Sequence, residues 1–135
     1  MNHSPQENKI LKNIKQLASQ NIGIDIDIIW LYGSRARGNA HQNSDYDLAV
    51  AFSHPLKDPI ECRLRPELLA LKWKKQLSID LSTIDINQVP LPLAYTVVYD
   101  NYTLYSNNDF RRLTQEQRIM SKWELDHQHH KKHYL

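Results

Sequence analysis

The sequence predicts an α/β (α+β) domain, a small β-sheet flanked by helices, and three observations carry that prediction. Ile10, Leu11, Ile14, Leu17 and Ala18 recur at the 3.6-residue period of a helix with one buried stripe. Residues 24–32 pass from an Ile-Asp-Ile-Asp alternation into the apolar run Ile28-Ile29-Trp30-Leu31-Tyr32, as a strand does on its way from a sheet's rim to its middle. Residues 45–52 alternate strictly, with Tyr46, Leu48, Val50 and Phe52 on one face and Asp45, Asp47, Ala49 and Ala51 on the other.

In chain order, Ser4-Pro5-Gln6-Glu7 opens the first helix, with Ser4 as N-cap, Pro5 in the first turn and Glu7 placed to close a capping box. Asn21 and Gly23 are expected to end it. The strand over 24–32 delivers the chain to Gly33. Gly33-Ser34 then turns into a short helix through Arg35, Ala36 and Arg37 that Gly38 closes, and Asn39 to Asn43 is polar loop. After the second strand, Asp58-Pro59-Ile60-Glu61 caps a helix whose stripe Ile60, Leu64, Leu68 and Leu71 reaches about Gln76, with Pro66 expected to kink or restart it. A third strand over 77–84 sets Leu77, Ile79 and Leu81 against Ser78, Asp80 and Ser82. Pro90 and Pro92 lead a helix bearing Leu91, Ala94, Val97 and Val98, and Tyr102 to Tyr105 reads as the last strand. A final helix over 108–125 carries Phe110, Leu113, Met120 and Trp123. From about residue 126 a polar, histidine-rich tail follows, whose His127, His129, His130 and His133 are expected in a frayed terminus.

At 135 residues and 41% hydrophobic content, one domain spanning 1–135 is expected. Cys62 is the single cysteine and lacks an internal partner, the first residues are too polar for a secretory signal, and the expected location is cytoplasmic. No apolar run approaches the roughly 18 residues of a membrane span. A net charge of +2 is too small to indicate direct nucleic-acid binding.

The chemistry concentrates between Gly33 and Val50. Two of the three glycines flank a serine and two arginines immediately after an apolar strand. Glycine there permits positive φ and close approach of backbone N–H groups to an anion, and a helix start at Ser34 turns further N–H groups toward a phosphate. Asp45 and Asp47, two residues apart on a strand, share a face. Two adjacent carboxylates repel unless a cation lies between them or one takes a proton, and hard oxygen ligands favour Mg²⁺. Asp80 is a third carboxylate on a polar strand face.

The segments Gly33-Ser34-Arg35-Ala36-Arg37-Gly38 and Ser44-Asp45-Tyr46-Asp47-Leu48, with Asp80 on a later strand, resemble the polymerase-β-like nucleotidyltransferase superfamily and, within it, the minimal nucleotidyltransferases. The resemblance covers roughly residues 5 to 105. It implies a mixed sheet with helices packed on one side, and transfer of a nucleoside monophosphate from a triphosphate such as ATP with the aid of two Mg²⁺ ions. It assigns metal binding to Asp45 and Asp47, and to Asp80 either the second metal site or the proton of the attacking hydroxyl. Gly33 and Ser34 would hold the β and γ phosphates. Arg35 or Arg37 would neutralise leaving-group charge, although an arginine at a helix start equally pairs with a structural carboxylate.

Short members of this superfamily are similar to antitoxins paired with HEPN-type ribonuclease toxins, which they silence by adenylylating a tyrosine. The resemblance therefore implies a protein adenylyltransferase with a HEPN-type toxin as partner. Two alternatives stand beside it: a nucleotidyltransferase acting on an aminoglycoside-like hydroxyl, and a non-enzymatic antitoxin that acts by binding alone. Nothing in the chain identifies the acceptor, although Tyr95, Tyr99, Tyr102 and Tyr105 offer a candidate contact surface.

Overall fold

The computed structural model describes residues 3–20 and 25–134, so the expected helix end at Asn21 and Gly23 lies outside the described residues. Its elements run in the order α1 (Pro5–Gln20), β1 (Ile26–Tyr32), α2 (Ser34–Arg37), β2 (Tyr46–Phe52), α3 (Pro59–Leu77), β3 (Leu81–Asp85), α4 (Leu91–Asp100), β4 (Thr103–Ser106) and α5 (Asp109–Tyr134). The strands form one mixed sheet in the order β3-β2-β1-β4. β1 pairs antiparallel with both β2 and β4, and β2 pairs parallel with β3. Among the described residues no helix is long and apolar enough to cross a membrane.

Local chemistry explains most boundaries. The Glu7 N–H donates to Ser4 Oγ at 3.1 Å, capping α1. The Ile60 N–H donates to Asp58 Oδ1 at 2.8 Å, capping α3. Ser78 in the left-handed region, φ 53°, ends α3, which delays the third strand to Leu81. Pro66 lies inside α3 without dividing it, its carbonyl accepting the Thr83 hydroxyl.

Helices cover both faces of the sheet, not one. Leu11, Ile14 and Ala18 of α1 with Leu69 and Trp73 of α3 pack on Ile29, Leu31, Leu48 and Val50. Ala94 and Val97 of α4 with Ile119 of α5 pack on Ile28, Trp30, Ala49 and Ala51. The reason lies in β1 and β2, whose alternate residues are apolar in both directions, so either face exposed to water would cost hydrophobic burial. Ala49 and Ala51 are accordingly core under α4, and only the Asp45–Asp47 end of that face is left polar.

Two helical stripes are corrected. Ile60, Leu64, Leu68 and Leu71 are 59%, 41%, 61% and 60% exposed, while Pro66, Leu69 and Trp73 form the buried side of α3. On α5, Phe110, Leu113 and Met120 are exposed and Gln115 and Ile119 are buried, with Trp123 stacking on Tyr95 at 4.4 Å. In both helices the larger apolar stripe faces outward, and a smaller one meets the core. α5 also continues through the histidine-rich stretch to Tyr134, where a frayed tail was expected from about 126.

The two faces of α3 separate in a stability measurement. Leu69→Ala is expected to cost about 2–5 kcal/mol by urea unfolding, and Leu68→Ala, at a concentration dilute enough to keep the chain monomeric, to stay within about 0.5 kcal/mol of the parent; the reverse order would contradict this orientation of α3.

Candidate active site

β1 ends at Tyr32, and Gly33 follows with φ 77°, a conformation that side chains rarely adopt. A Cβ built on Gly33 would lie 2.5 Å from Asp47 Oδ2. Glycine is thus required twice over, by the backbone and by the carboxylate above it. The Ala36 and Arg37 N–H groups both turn back to the Gly33 carbonyl at 3.1 Å, which winds the single turn of α2. Gly38, φ 78°, closes it in the left-handed region. Ser34 opens α2 and is half-buried beside this turn.

Asp47 lies in β2 opposite Tyr32 of β1 and Ser82 of β3. Ser82 Oγ donates to Asp47 Oδ1 at 2.9 Å, which fixes the carboxylate against the sheet and leaves Oδ2 above Gly33. Burial pushes the Asp47 carboxyl above its ordinary range; the Ser82 hydrogen bond pulls it down, the Asp45 charge pushes it up and Arg37 pulls it down, for a net rise. Tyr32 is pushed up to about 12, by burial first and then by the Asp47 charge. Asp45 is exposed at the residue before β2.

Asp80 is exposed at the residue before β3, and its carbonyl accepts the Tyr46 N–H at 3.0 Å. The parallel register pairs Tyr46 with Leu81, so one step earlier it sets Asp80 beside Asp45. Asp45 and Asp80 each stand one residue before their strand, so alternation does not fix where these two carboxylates point, and Asp80 borders the α1 side of the sheet, together with Glu7 and Tyr46. Among the described residues, no group of three or more His, Cys, Asp or Glu side chains is gathered as a metal site. The donor set that does fit a cation is the Asp45–Asp47 pair. Mg²⁺ is commonly held by one or two carboxylates, with phosphate oxygens and water completing its shell.

The two arginines divide. Arg35 is 6% exposed and turns to the α1 face of the sheet. Its guanidinium donates to the Ser44 carbonyl at 2.8 Å and the Gln42 carbonyl at 3.2 Å, pairs with Glu7 at 3.2 Å and stacks 4.3 Å over the Tyr46 ring. The reading of Arg35 as a nucleotide ligand is corrected: it pins the 42–44 loop to α1. A cavity of about 440 Å³ lined by Glu7, Arg35, Ser44, Tyr46 and Asp80 opens on the same side. Arg37 is exposed, and its charge draws the Asp47 carboxyl down.

Two contributors were not foreseen. Ser82 was placed on the polar face of its strand, but not as a donor to Asp47. Asp100, the last residue of α4, accepts the Gly33 N–H at 2.8 Å across 67 positions of sequence. Gly33 thus gives its own N–H to a carboxylate, where a phosphate was expected. Asn101 at φ 54° ends α4 and fixes where Asp100 sits. No local pattern links that carboxylate to Gly33.

Residues 12–110 match the family described as Polymerase beta, Nucleotidyltransferase. The chain is similar to protein adenylyltransferase MntA of Shewanella oneidensis, at 33% identity over 99 residues, which are 73% of this chain and 64% of that relative's length. Among solved structures, a toxin–antitoxin with AMP-PNP superimposes with a TM-score of 0.70 at 26% identity, covering 90% of this chain and 93% of that one. A tri-AMPylated Shewanella oneidensis HEPN toxin in complex with MNT antitoxin shares the fold, with a TM-score of 0.67 at 22% identity over 93% and 92% of the two chains.

The raised Asp47 carboxyl has a thermodynamic sign. The native state holds this proton more tightly than the unfolded chain, whose ordinary value is 3.8. The group's contribution to stability is therefore full below that value and declines as pH rises through the native one. In the presence of a chelator, Asp47→Asn is expected to raise the urea midpoint at neutral pH, with the difference from the parent vanishing near about pH 3. An unchanged or lower midpoint at neutral pH would contradict the assignment.

Proposed function

The chain belongs to the polymerase beta nucleotidyltransferase family, and from that premise we propose that it is a Mg²⁺-dependent protein adenylyltransferase. Its acceptor in this reading is a tyrosine of a HEPN-type ribonuclease toxin, which the transfer silences, and the pair acts in the cytoplasm. The observation that carries the reading is the Asp47 carboxylate seated against a glycine turn, beside Asp45 and Arg37. The similarity to MntA supports the choice of ATP and of a protein acceptor over an aminoglycoside-like one.

In this reading Asp45 and Asp47 hold Mg²⁺ on the triphosphate. Bound there, the ion supplies charge neutralisation and a fixed orientation of the phosphates. Ser82 keeps Asp47 aimed through its hydrogen bond, so the carboxylate needs no reorganisation when nucleotide arrives. Gly33 and Ser34 form the turn against which the β and γ phosphates rest, and Arg37 offsets charge on the leaving group. The acceptor oxygen attacks the α phosphorus, the bond from that phosphorus to the β-bridging oxygen breaks, and pyrophosphate departs with the electron pair. Asp80, exposed at the start of β3, takes the acceptor's proton or completes a second cation site once nucleotide is bound.

Incubation with α-labelled ATP, Mg²⁺ and a purified HEPN-type toxin is expected to move label onto the toxin. Asp47→Ala should reduce the transfer by more than about 100-fold, and chelation should abolish it. Label that moves only to a small hydroxylated acceptor, or full protection of cells by an Asp45→Ala, Asp47→Ala double variant, would overturn the proposal.

A further inference from the structure

Ile60, Leu64, Leu68 and Leu71 form one stripe on the outward pole of α3, opposite the buried Pro66, Leu69 and Trp73. Beside it a groove of about 520 Å³, lined by Phe52, Leu56, Leu64, Arg65 and Leu68, extends the apolar surface. Contiguous apolar area of this kind on a polar chain marks an interaction surface. The charges flanking it point to its occupant. Glu61 and Lys72 lie along one edge of the stripe, Arg63 and Glu67 along the other, and all four are exposed.

We propose that α3 pairs antiparallel with α3 of a second copy of this chain, about a two-fold axis between Leu64 and Leu68. That register sets Leu64 against Leu68 of the second copy and Ile60 against its Leu71. It also sets Glu61 opposite Lys72 of the second copy and Arg63 opposite its Glu67. The symmetry makes each pair twice, so one surface satisfies itself, as an isologous contact requires. The leucines supply the affinity and the ion pairs the register. α3 leads directly through Ser78 to Asp80, so an antiparallel pairing turns the two Asp80 residues toward opposite ends of the dimer. The proposal does not depend on the reaction catalysed.

Sedimentation equilibrium of the full chain tests it. A reversible monomer–dimer equilibrium is expected, with Leu64→Glu, Leu68→Glu giving monomer at every concentration while circular dichroism stays unchanged. Glu61→Lys should weaken the dimer several-fold, and adding Lys72→Glu should restore it, which a merely structural effect of either change would not do. A monomer throughout a series rising to about 1 mM, a dimer that survives the double glutamate variant, or a charge swap without recovery would each overturn the proposal. So would a double glutamate variant with unchanged self-association that no longer binds a purified HEPN-type toxin; that result assigns the stripe to the toxin instead.

Discussion

The site depends on the absence of one carbon atom. Gly33 has no Cβ, and Asp47 Oδ2 occupies the space that the carbon would take. The constraint is reciprocal: the carboxylate approaches only because the residue is glycine, and the turn holds φ 77° only for the same reason. Asp100 clamps the Gly33 N–H from one side and Ser82 clamps the Asp47 carboxylate from the other. Turn and carboxylate are thereby fixed before a ligand arrives. Groups held in this way need no reorganisation when a charged ligand approaches.

Such a site is held at a cost to the fold. A half-buried carboxylate next to a second one is unfavourable, and the raised Asp47 carboxyl records it. The two apolar layers offset this cost by enclosing β1 and β2 on both faces. Arg35 contributes on the structural side. Although it stands between Ser34 and Arg37, two residues of the functional turn, its guanidinium ties the 42–44 loop to Glu7 of α1 and so sets where β2 begins. One short helix thus turns one arginine into the fold and leaves the other exposed, its charge acting on Asp47.

Local chemistry made much of this legible in the sequence. The caps at Ser4 and Asp58 and the Gly33 and Gly38 turn follow from rules that span a few residues, and the structure has them; the parity of Asp45 and Asp80 reaches past the strands, which begin only at Tyr46 and Leu81. Three features depend on what packs where. A 3.6-residue period shows that α3 has an apolar face, not which way the face points, and it is Leu69 and Trp73 that take the interior. The second helical layer follows from β1 being apolar on both sides, a property visible in Ile28 to Leu31 but compatible with a strand under one layer or two. The Asp100–Gly33 hydrogen bond joins residues from separate elements, and no local pattern encodes it.

The most direct test compares alanine at two glycines that share a positive φ, 77° at Gly33 and 78° at Gly38, by calorimetric titration with Mg²⁺ and a non-hydrolysable ATP analogue. Gly38→Ala should lose about 1–2 kcal/mol of stability to left-handed strain, and Gly33→Ala more, since its ψ of −155° belongs to a region that essentially only glycine adopts. Gly33→Ala alone should lose nucleotide affinity, by more than about 10-fold, because only its methyl group displaces the Asp47 carboxylate. Equal affinity in the two variants would contradict the account, since the contact between Gly33 and Asp47 would then have no part in holding nucleotide.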